Sequence, residues 1–419
     1  MFLPKLSTFL LRLSSGAVKR LDYFGLIFLL FYTAPVFSLP TQTLPKGLRS
    51  PAIRWGVLTS LDQKYSDQGK LVRLKDTKSI EFDSETLAKF NSRAEALIET
   101  LNRFGLYKAG DLFNLGTLEI NTQPEINYKA PIFAYGFSAN WTIALGIPIV
   151  EYKNDIQFRQ TFSNVDYYNQ FRGLSAELDQ ALDTDLSVET QKVVQEKGYK
   201  PLTSRNETFI GDIQVVSLYQ LPQEHRQIIL QTTMTLPTGP DYDADDLVAL
   251  NTFHEFSIEQ SAGILWTTTT WLDLMPLVNF KYFVPMQKTM RIPKNSDDVL
   301  PDQNSKDQIS ESKGLLYEVG LQASLNVSDS FSIKGLYTMG QQQATRYSAS
   351  SKGFVEALEK NTFSEWQKVR LDFDYSSVSQ YMKNKSGIPY ILSLSIFDTI
   401  RGKNIERRLG QELNLTLFF

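Results

Sequence analysis

The sequence predicts an all-β protein: a transmembrane, antiparallel, up-and-down β-barrel of about twelve strands, with helical insertions in its long loops or as a plug. Three observations carry this. Segments of about ten residues alternate apolar and polar side chains, the period of a strand with one greasy face. Tight turns and long polar excursions alternate between those segments, the asymmetry of an outer-membrane barrel. Beyond residue 38 there is no run of roughly eighteen apolar residues, so any crossing is made by strands.

The chain has 419 residues, 12% of them aromatic, two histidines and no cysteine. Its mean hydropathy of −0.23 is far from that of a helical membrane protein. Residues 1–38 read as a signal peptide. Lys5, Arg12, Lys19 and Arg20 form a basic region, FGLIFLLFY (24–32) a short apolar core, and Val36 and Ser38 a cleavage pattern. Removing that segment moves the net charge from −3 to −6, a balance unsuited to nucleic acid. Without cysteine there is neither a lipid-modified cysteine nor a disulfide framework. Residues 39–419 are then the barrel, with 61–123 a helix-containing insertion, a lid or plug.

Taken in order, strands are expected near 50–60, 124–137, 140–153, 208–222, 225–238, 255–268, 272–286, 313–327, 330–345, 364–378, 387–400 and 406–419. Turns near 138–140, 221–225, 270–271 and 328–330 are tight, while 154–207, 239–254, 287–312 and 346–363 are long and polar. An even strand number puts both termini on the short-turn side. KLVRLKDTKSIEF (70–82) is ambiguous: as a spanning arm it would make fourteen strands, as part of the first excursion it leaves twelve. In GLLYEVGLQASLNV (314–327), Leu315, Tyr317, Val319, Leu321, Ala323, Leu325 and Val327 share one face, and Glu318, Gly320, Gln322, Ser324 and Asn326 the other. In QKVRLDFDY (367–375) the apolar set is Val369, Leu371, Phe373 and Tyr375. Lys368, Arg370, Asp372 and Asp374 oppose it, mixed charges that suit a wet lumen. These, with Glu318 and Gln322, are the candidate lumen-facing residues. The chain closes on LGQELNLTLFF, where Leu413, Leu415, Leu417 and Phe419 fall at every second place.

A helix is expected over 84–104, where Leu87, Phe90, Ala94, Leu97, Leu101 and Phe104 keep helical spacing before Gly105. Its stripe, represented by Leu87, Phe90, Leu97 and Leu101, could plug the lumen, cap its mouth, lie on the membrane, or pack onto its own loops. A second helical stretch lies in 174–198. Trp141, Trp271, Tyr390, Trp366 and Tyr282 fall where the interface girdles of a barrel would want them.

The chemistry of an enzyme is missing. His225 sits in a tight turn, and His254 beside Glu255 at a rim where neighbours on a strand point apart. The stretch PDYDADD (240–246) puts Asp241, Asp243 and Asp245 at alternate places, a pattern that can take calcium. The glycine and distal glutamate of a calcium loop are absent, so a solvated acidic loop is expected and no metal. No phosphate-binding loop or metal-spaced cluster points to a cofactor.

GDIQVVSLYQL (211–221), followed one hairpin later by LPTGP (236–240), resembles the long-chain fatty-acid transporter superfamily, and within it the branch named for the meta-pathway of phenol degradation. LPTQTLPKGLRSPAIRWG (39–56) and YGFSANWTIALGIPIV (135–150) fit the same mould. The Asn-Pro-Ala start of the transporter's N-terminal plug is absent. The resemblance implies passive diffusion of small hydrophobic solutes through the outer membrane of a Gram-negative bacterium, without energy coupling. It also implies contact with outer-membrane lipids and lipopolysaccharide, a monomer, and a terminal strand read by the barrel-assembly machinery at Leu413, Leu415, Leu417 and Phe419. Two other readings stay open: a sealed structural or recognition barrel whose long loops bind an external partner, and a porin for polar solutes.

Overall fold

The computed structural model describes residues 42–419 apart from 60, 74–79, 86, 88–91, 105–107, 224–225, 251–252, 296–297, 299, 350–353 and 385–386. The expected signal peptide 1–38, Phe90 and His225 therefore lie outside the described residues.

Twelve staves close into an antiparallel barrel. Ten are single strands: β1 (Arg49–Thr59), β2 (Asn114–Ser138), β7 (Arg226–Leu236), β8 (Ser257–Thr269), β9 (Leu272–Phe283), β10 (Leu316–Ser328), β11 (Phe331–Gln342), β12 (Ser364–Ser376), β13 (Tyr390–Lys403) and β14 (Leu409–Leu417). The third stave is split into β3 (Trp141–Gly146) and β4 (Ile149–Thr161), and the fourth into β5 (Arg205–Ile210) and β6 (Ile213–Pro222). Closure comes from β1, which pairs with β14 from Ala52↔Thr416 to Thr59↔Leu409 and with β2 from Arg49↔Tyr135 to Leu58↔Ile126. Closure through β1 removes the edges there, while β5 has β4 as its one strand partner among the described residues.

The pattern of burial follows from closure. Val319, Leu321 and Leu325 are exposed on the outside, while Glu318, Gln322 and Ser324 between them are buried inside. The outer apolar belt is uneven. On β10 it runs from Tyr317 to Val327, but on β2 it covers Phe133, Tyr135 and Phe137 and gives way at exposed Lys129. Beyond that height β4 carries an outward pair, Lys153–Glu151 at 3.0 Å.

The two split staves break side by side. Pro148 has no N–H to continue a ladder, and its carbonyl accepts from Gly211 N at 2.8 Å. Next to it, the Asp212 carboxylate accepts backbone N–H groups of Thr238 (3.1 Å), Gly239 (2.8 Å), His254 (3.1 Å) and Glu255 (3.0 Å), so loop 237–256 is stitched to the break.

The structure settles the strand number and adjusts several bounds. Of segment 70–82, Leu71–Arg73 pairs with Gln63–Tyr65, and Ile80–Asp83 pairs with β2 above the barrel. It adds no stave, so twelve stands and fourteen does not. Stave β2 starts at Asn114 and not near 124, because its upper half is held by β4 from Thr117↔Thr161 down to Lys129↔Ile149. Residues 114–123 of the expected insertion are strand. The first helix is α1 (Ser92–Phe104). The stretch 174–198 divides into α2 (Ala176–Leu182) and α3 (Leu186–Glu196), because Asp185 caps a new N-terminus by accepting from Ser187 N (2.9 Å) and Val188 N (3.4 Å).

Candidate functional site

The interior of the barrel has two unlike walls. Toward the short turns, Leu218 of β6, Ile229 of β7, Leu265 of β8, Met275 and Leu277 of β9 and Leu336 of β11 form one buried apolar cluster. Around the circumference from them the wall is ionic. Arg370 reaches Glu412 at 2.8 Å, Asp372 at 2.7 Å and Ser395 Oγ at 2.7 Å. Tyr128 donates its hydroxyl to Glu412 from the opposite side of the seam. Lys334 meets Asp374 at 2.7 Å, and Lys368 stands 3.9 Å from Glu318, which accepts from Trp366 Nε1 at 2.6 Å. Each buried charge faces an opposite one, as burial in low dielectric demands.

The structure places all six candidate lumen residues, Glu318, Gln322, Lys368, Arg370, Asp372 and Asp374, on the inward parity of β10 and β12. Five join the ion pairs just described. Gln322 does not. It is 1% exposed, and neither its Nε2 nor its Oε1 has a hydrogen-bond partner among the described residues.

Three inward aromatics lie against the wall over glycines of neighbouring staves. A Cβ on Gly56 would stand 2.3 Å from the Tyr128 ring, one on Gly410 2.3 Å from Phe397, and one on Gly340 2.9 Å from Trp366. Glycine is needed there for close approach. Trp366, expected in a girdle, is instead 2% exposed inside the barrel, since it shares parity with Lys368 and Arg370. Trp271 and Tyr282 are exposed as expected, each at 54%.

The stretch before β1 also lies on the inner face. Thr43 N donates to Gln220 Oε1 (3.1 Å), Leu44 N to Thr142 Oγ1 (2.7 Å) and Gly47 N to the Gly136 carbonyl (2.7 Å). This strap crosses the second, third and fourth staves at the short-turn mouth. Sequence reading missed it, as it missed the apolar wall.

Of the helix stripe, Leu87, Leu97 and Leu101 are buried with Phe113, Tyr168, Leu178 and Leu186 and with Leu115 and Leu118 at the start of β2 in one cluster. The helix therefore packs on α2 and on the start of β2. At the other end, β14 sets Leu413, Leu415 and Leu417 on the outer face. Phe419 is 61% exposed and exchanges backbone hydrogen bonds with Arg49 at 2.8 and 3.0 Å.

The acidic loop is solvated at Asp241, but its other aspartates are engaged by cations of the chain. Asp245 takes Arg291 and Lys306, each at 2.5 Å, Asp243 takes Lys200 at 2.7 Å, and Asp246 takes Arg205. Asp241 faces His254 Nδ1 at 3.0 Å. Arg291 also donates to the carbonyls of Lys197 (2.7 Å), Gly198 (2.7 Å) and Pro301 (3.0 Å) and lies 3.6 Å over the Tyr199 ring. Its neighbour Asp302 holds Lys197 (2.5 Å) and Lys294 (2.9 Å). Hydrogen bonds from those lysines hold the Asp302 carboxyl below its usual range. Burial opposes the Asp245 charge, but Lys306 and Arg291 outweigh it and hold that carboxyl low too. With cations of the chain occupying the aspartates, three long loops are stapled into one cap. No group of three metal-ligating side chains occurs among the described residues.

On the outside, a groove of about 670 Å³ crosses the seam between Trp55, Leu394 and Leu413 on its apolar side and Asn127, Lys129 and Glu151 on its polar side. It marks the height at which the apolar belt ends.

No protein-family model and no curated protein matches the sequence. Among solved structures the chain is similar to an outer membrane channel from Pseudomonas putida F1, with 10% identity, 92% of this chain and 100% of that one covered, and a TM-score of 0.51. The chain has that channel's fold. Looser likenesses reach the toluene transporter TodX of Pseudomonas putida (8% identity, 90% and 89% covered, TM-score 0.32) and NanC porin (8%, 71% and 97%, 0.31), too distant to add to it.

Proposed function

We propose that the chain is an outer-membrane channel through which small hydrophobic solutes diffuse passively. The observation that carries this reading is the apolar inner wall formed by Leu218, Ile229, Leu265, Met275, Leu277 and Leu336 inside a barrel whose outside is also apolar. A barrel needs an apolar exterior to sit in lipid, and the inner cluster makes part of this interior apolar as well. The fold shared with an outer membrane channel supports the same reading.

On this reading residues 1–38 are removed as a signal peptide, and the mature chain works as a monomer among outer-membrane lipids and lipopolysaccharide. It needs no cofactor and catalyses no reaction. The barrel-assembly machinery recognises Leu413, Leu415, Leu417 and Phe419. The ionic wall around Arg370 braces the barrel. The insertion carrying Leu87, Phe90, Leu97 and Leu101 acts as a lid over the long-loop mouth.

The test is uptake of a radiolabelled apolar solute by Gram-negative cells making the full chain, beside single-channel conductance of the refolded protein. Faster apolar uptake with little ion conductance is expected, and deletion of 84–104 should raise it further. High conductance to ions would favour a porin for polar solutes. No uptake and no conductance, with or without the helix, would favour the sealed barrel.

A further inference from the structure

The groove across the seam on the outer wall holds a charge that the barrel itself does not answer. One row of outward residues crosses six neighbouring strands there. Leu394 of β13 pairs with Leu413 of β14, Leu413 with Trp55 of β1, and Trp55 with Lys129 of β2. Lys129 pairs in turn with Ile149 of β4, and Ile149 with Ile210 of β5. Leu394, Leu413, Ile149 and Ile210 are all exposed on the outside, as is Lys129. The lysine is thus the one charge in an apolar, lipid-facing row. Among the described residues it has no ion-pair partner. Glu151, in the next row toward the long loops, is already held by Lys153 at 3.0 Å.

An ammonium on the lipid face is costly in hydrocarbon, and the cost falls away at headgroup level. At that level a phosphate can meet it, and lysine binds phosphate as a point charge. The height agrees. Stave β2 runs from the long loops at Asn114 down to Ser138, so Lys129 stands at the long-loop edge of the short belt on that stave. Long loops lie outside the cell, and that edge therefore meets the outer leaflet.

The groove, about 670 Å³, is of ligand size. Trp55, Leu394 and Leu413 line it on one side of Lys129 and Ile149 on the other, so acyl chains can lie on both sides of one phosphate. In the row nearer the loops stand Gln411, Asn127 and Thr208, two amides and a hydroxyl of the kind that hydrogen-bond sugars. A glycerophospholipid would leave that polar row unused. A phosphorylated sugar carrying several acyl chains uses all three features.

Resting on the outer-membrane placement and not on the passage of solutes, we propose that this groove binds lipopolysaccharide through its lipid A, the acylated and phosphorylated sugar. Lys129 takes a phosphate, the apolar row takes acyl chains, and Gln411, Asn127 and Thr208 face the sugar.

The test is native mass spectrometry of the full chain, extracted from outer membranes into detergent, stripped of lipid and titrated with purified lipid A. Folded barrel is scored first by its heat-modifiable mobility in gels. Wild type should take one lipid A ahead of any weaker binding. Lys129→Gln should weaken that site about fivefold, the worth of one lysine at an anionic membrane surface. Lys129→Arg should keep most of the affinity, and lipid A stripped of phosphate should bind wild type and Lys129→Gln alike. Lys383→Gln, at a short-turn end where Lys383 pairs with Asp329 at 3.0 Å, is the control and should change nothing. Equal affinity of wild type and Lys129→Gln for intact lipid A overturns the proposal. So does its displacement by an equal concentration of phosphatidylglycerol, which would mark a site for any anionic lipid. A chain that never reaches the outer membrane would instead overturn the placement on which the proposal rests.

Discussion

Gly136→Ala should lift the N-terminal strap off the inner wall. Gly136 faces inward between exposed Tyr135 and Phe137, and a Cβ there would stand 2.0 Å from the Pro45 carbonyl oxygen and 2.8 Å from that of Leu44. Both obstacles are backbone and cannot swing away. To restore ordinary contact the strap must retreat by more than about 1 Å, which is the scale at which hydrogen bonds fail. The bonds at risk are Gly47 N to Gly136 O (2.7 Å), Gly136 N to Leu48 O (2.9 Å), Leu44 N to Thr142 Oγ1 (2.7 Å) and Thr43 N to Gln220 Oε1 (3.1 Å). At about 1 kcal/mol each, their loss amounts to roughly 4 kcal/mol, and detachment confines it to the strap. By the tenfold-per-1.4 kcal/mol rule, amide exchange at Thr43, Leu44 and Gly47 should quicken by about a thousandfold. Exchange in β9–β12 should not change. Gly146→Ala, on the neighbouring stave with nothing nearer its Cβ than Ile132 Cγ1 at 3.8 Å, is the control. Equal protection of 43–47 in both variants, measured by hydrogen exchange in detergent, would refute the placement of the strap.

Two further outcomes are expected. Removing the Arg370 guanidinium by Arg370→Ala leaves Glu412 and Asp372 short of a cation and should cost about 3–5 kcal/mol in urea unfolding, whereas the triple change Arg370→Leu, Asp372→Leu and Glu412→Leu should recover much of that loss. Asp302 and Asp245 have lowered pKa values in the folded cap, so the protonated form belongs to the opened state. Their stabilisation is complete above the ordinary aspartate value of about 4 and fades as pH falls through their lower folded values. Proteolysis of loops 197–204 and 294–306 should therefore quicken only in that acid range, while the barrel itself stays intact.

Much of the barrel was legible because its two solvents differ. Where the inner wall is ionic, as at Lys368, Arg370 and Asp372 against Val369 and Leu371, parity alone assigns each side chain. Where the inner wall is itself apolar, parity vanishes. In Leu272-Asp273-Leu274-Met275-Pro276-Leu277 both faces are greasy, and the run does not reveal that Met275 and Leu277 look inward. That is why the apolar wall had to await the register. The split third stave had a local signal in Gly146-Ile147-Pro148, since proline cannot donate to a ladder. The loop staple had none: Asp245 finds Arg291 and Lys306 across long stretches of chain, and an acidic run shows no trace of distant partners. Trp366 was misplaced by treating it as a girdle residue when its parity with Lys368 already pointed inside.

The sloping outer belt has a consequence for the bilayer itself. From Tyr317 to Val327, at about 3.4 Å per residue and about 40° tilt, β10 offers hydrocarbon a height of about 26 Å. Between Pro131 and Phe137, the height on β2 is about 16 Å by the same arithmetic. A flat membrane cannot match both. The barrel must lean toward its short side, or the lipids beside β1 and β2 must shorten and splay, at a modest cost per ångström. In the second case the protein carries a thinned patch of membrane with it, fixed in place against the Trp55–Lys129 seam.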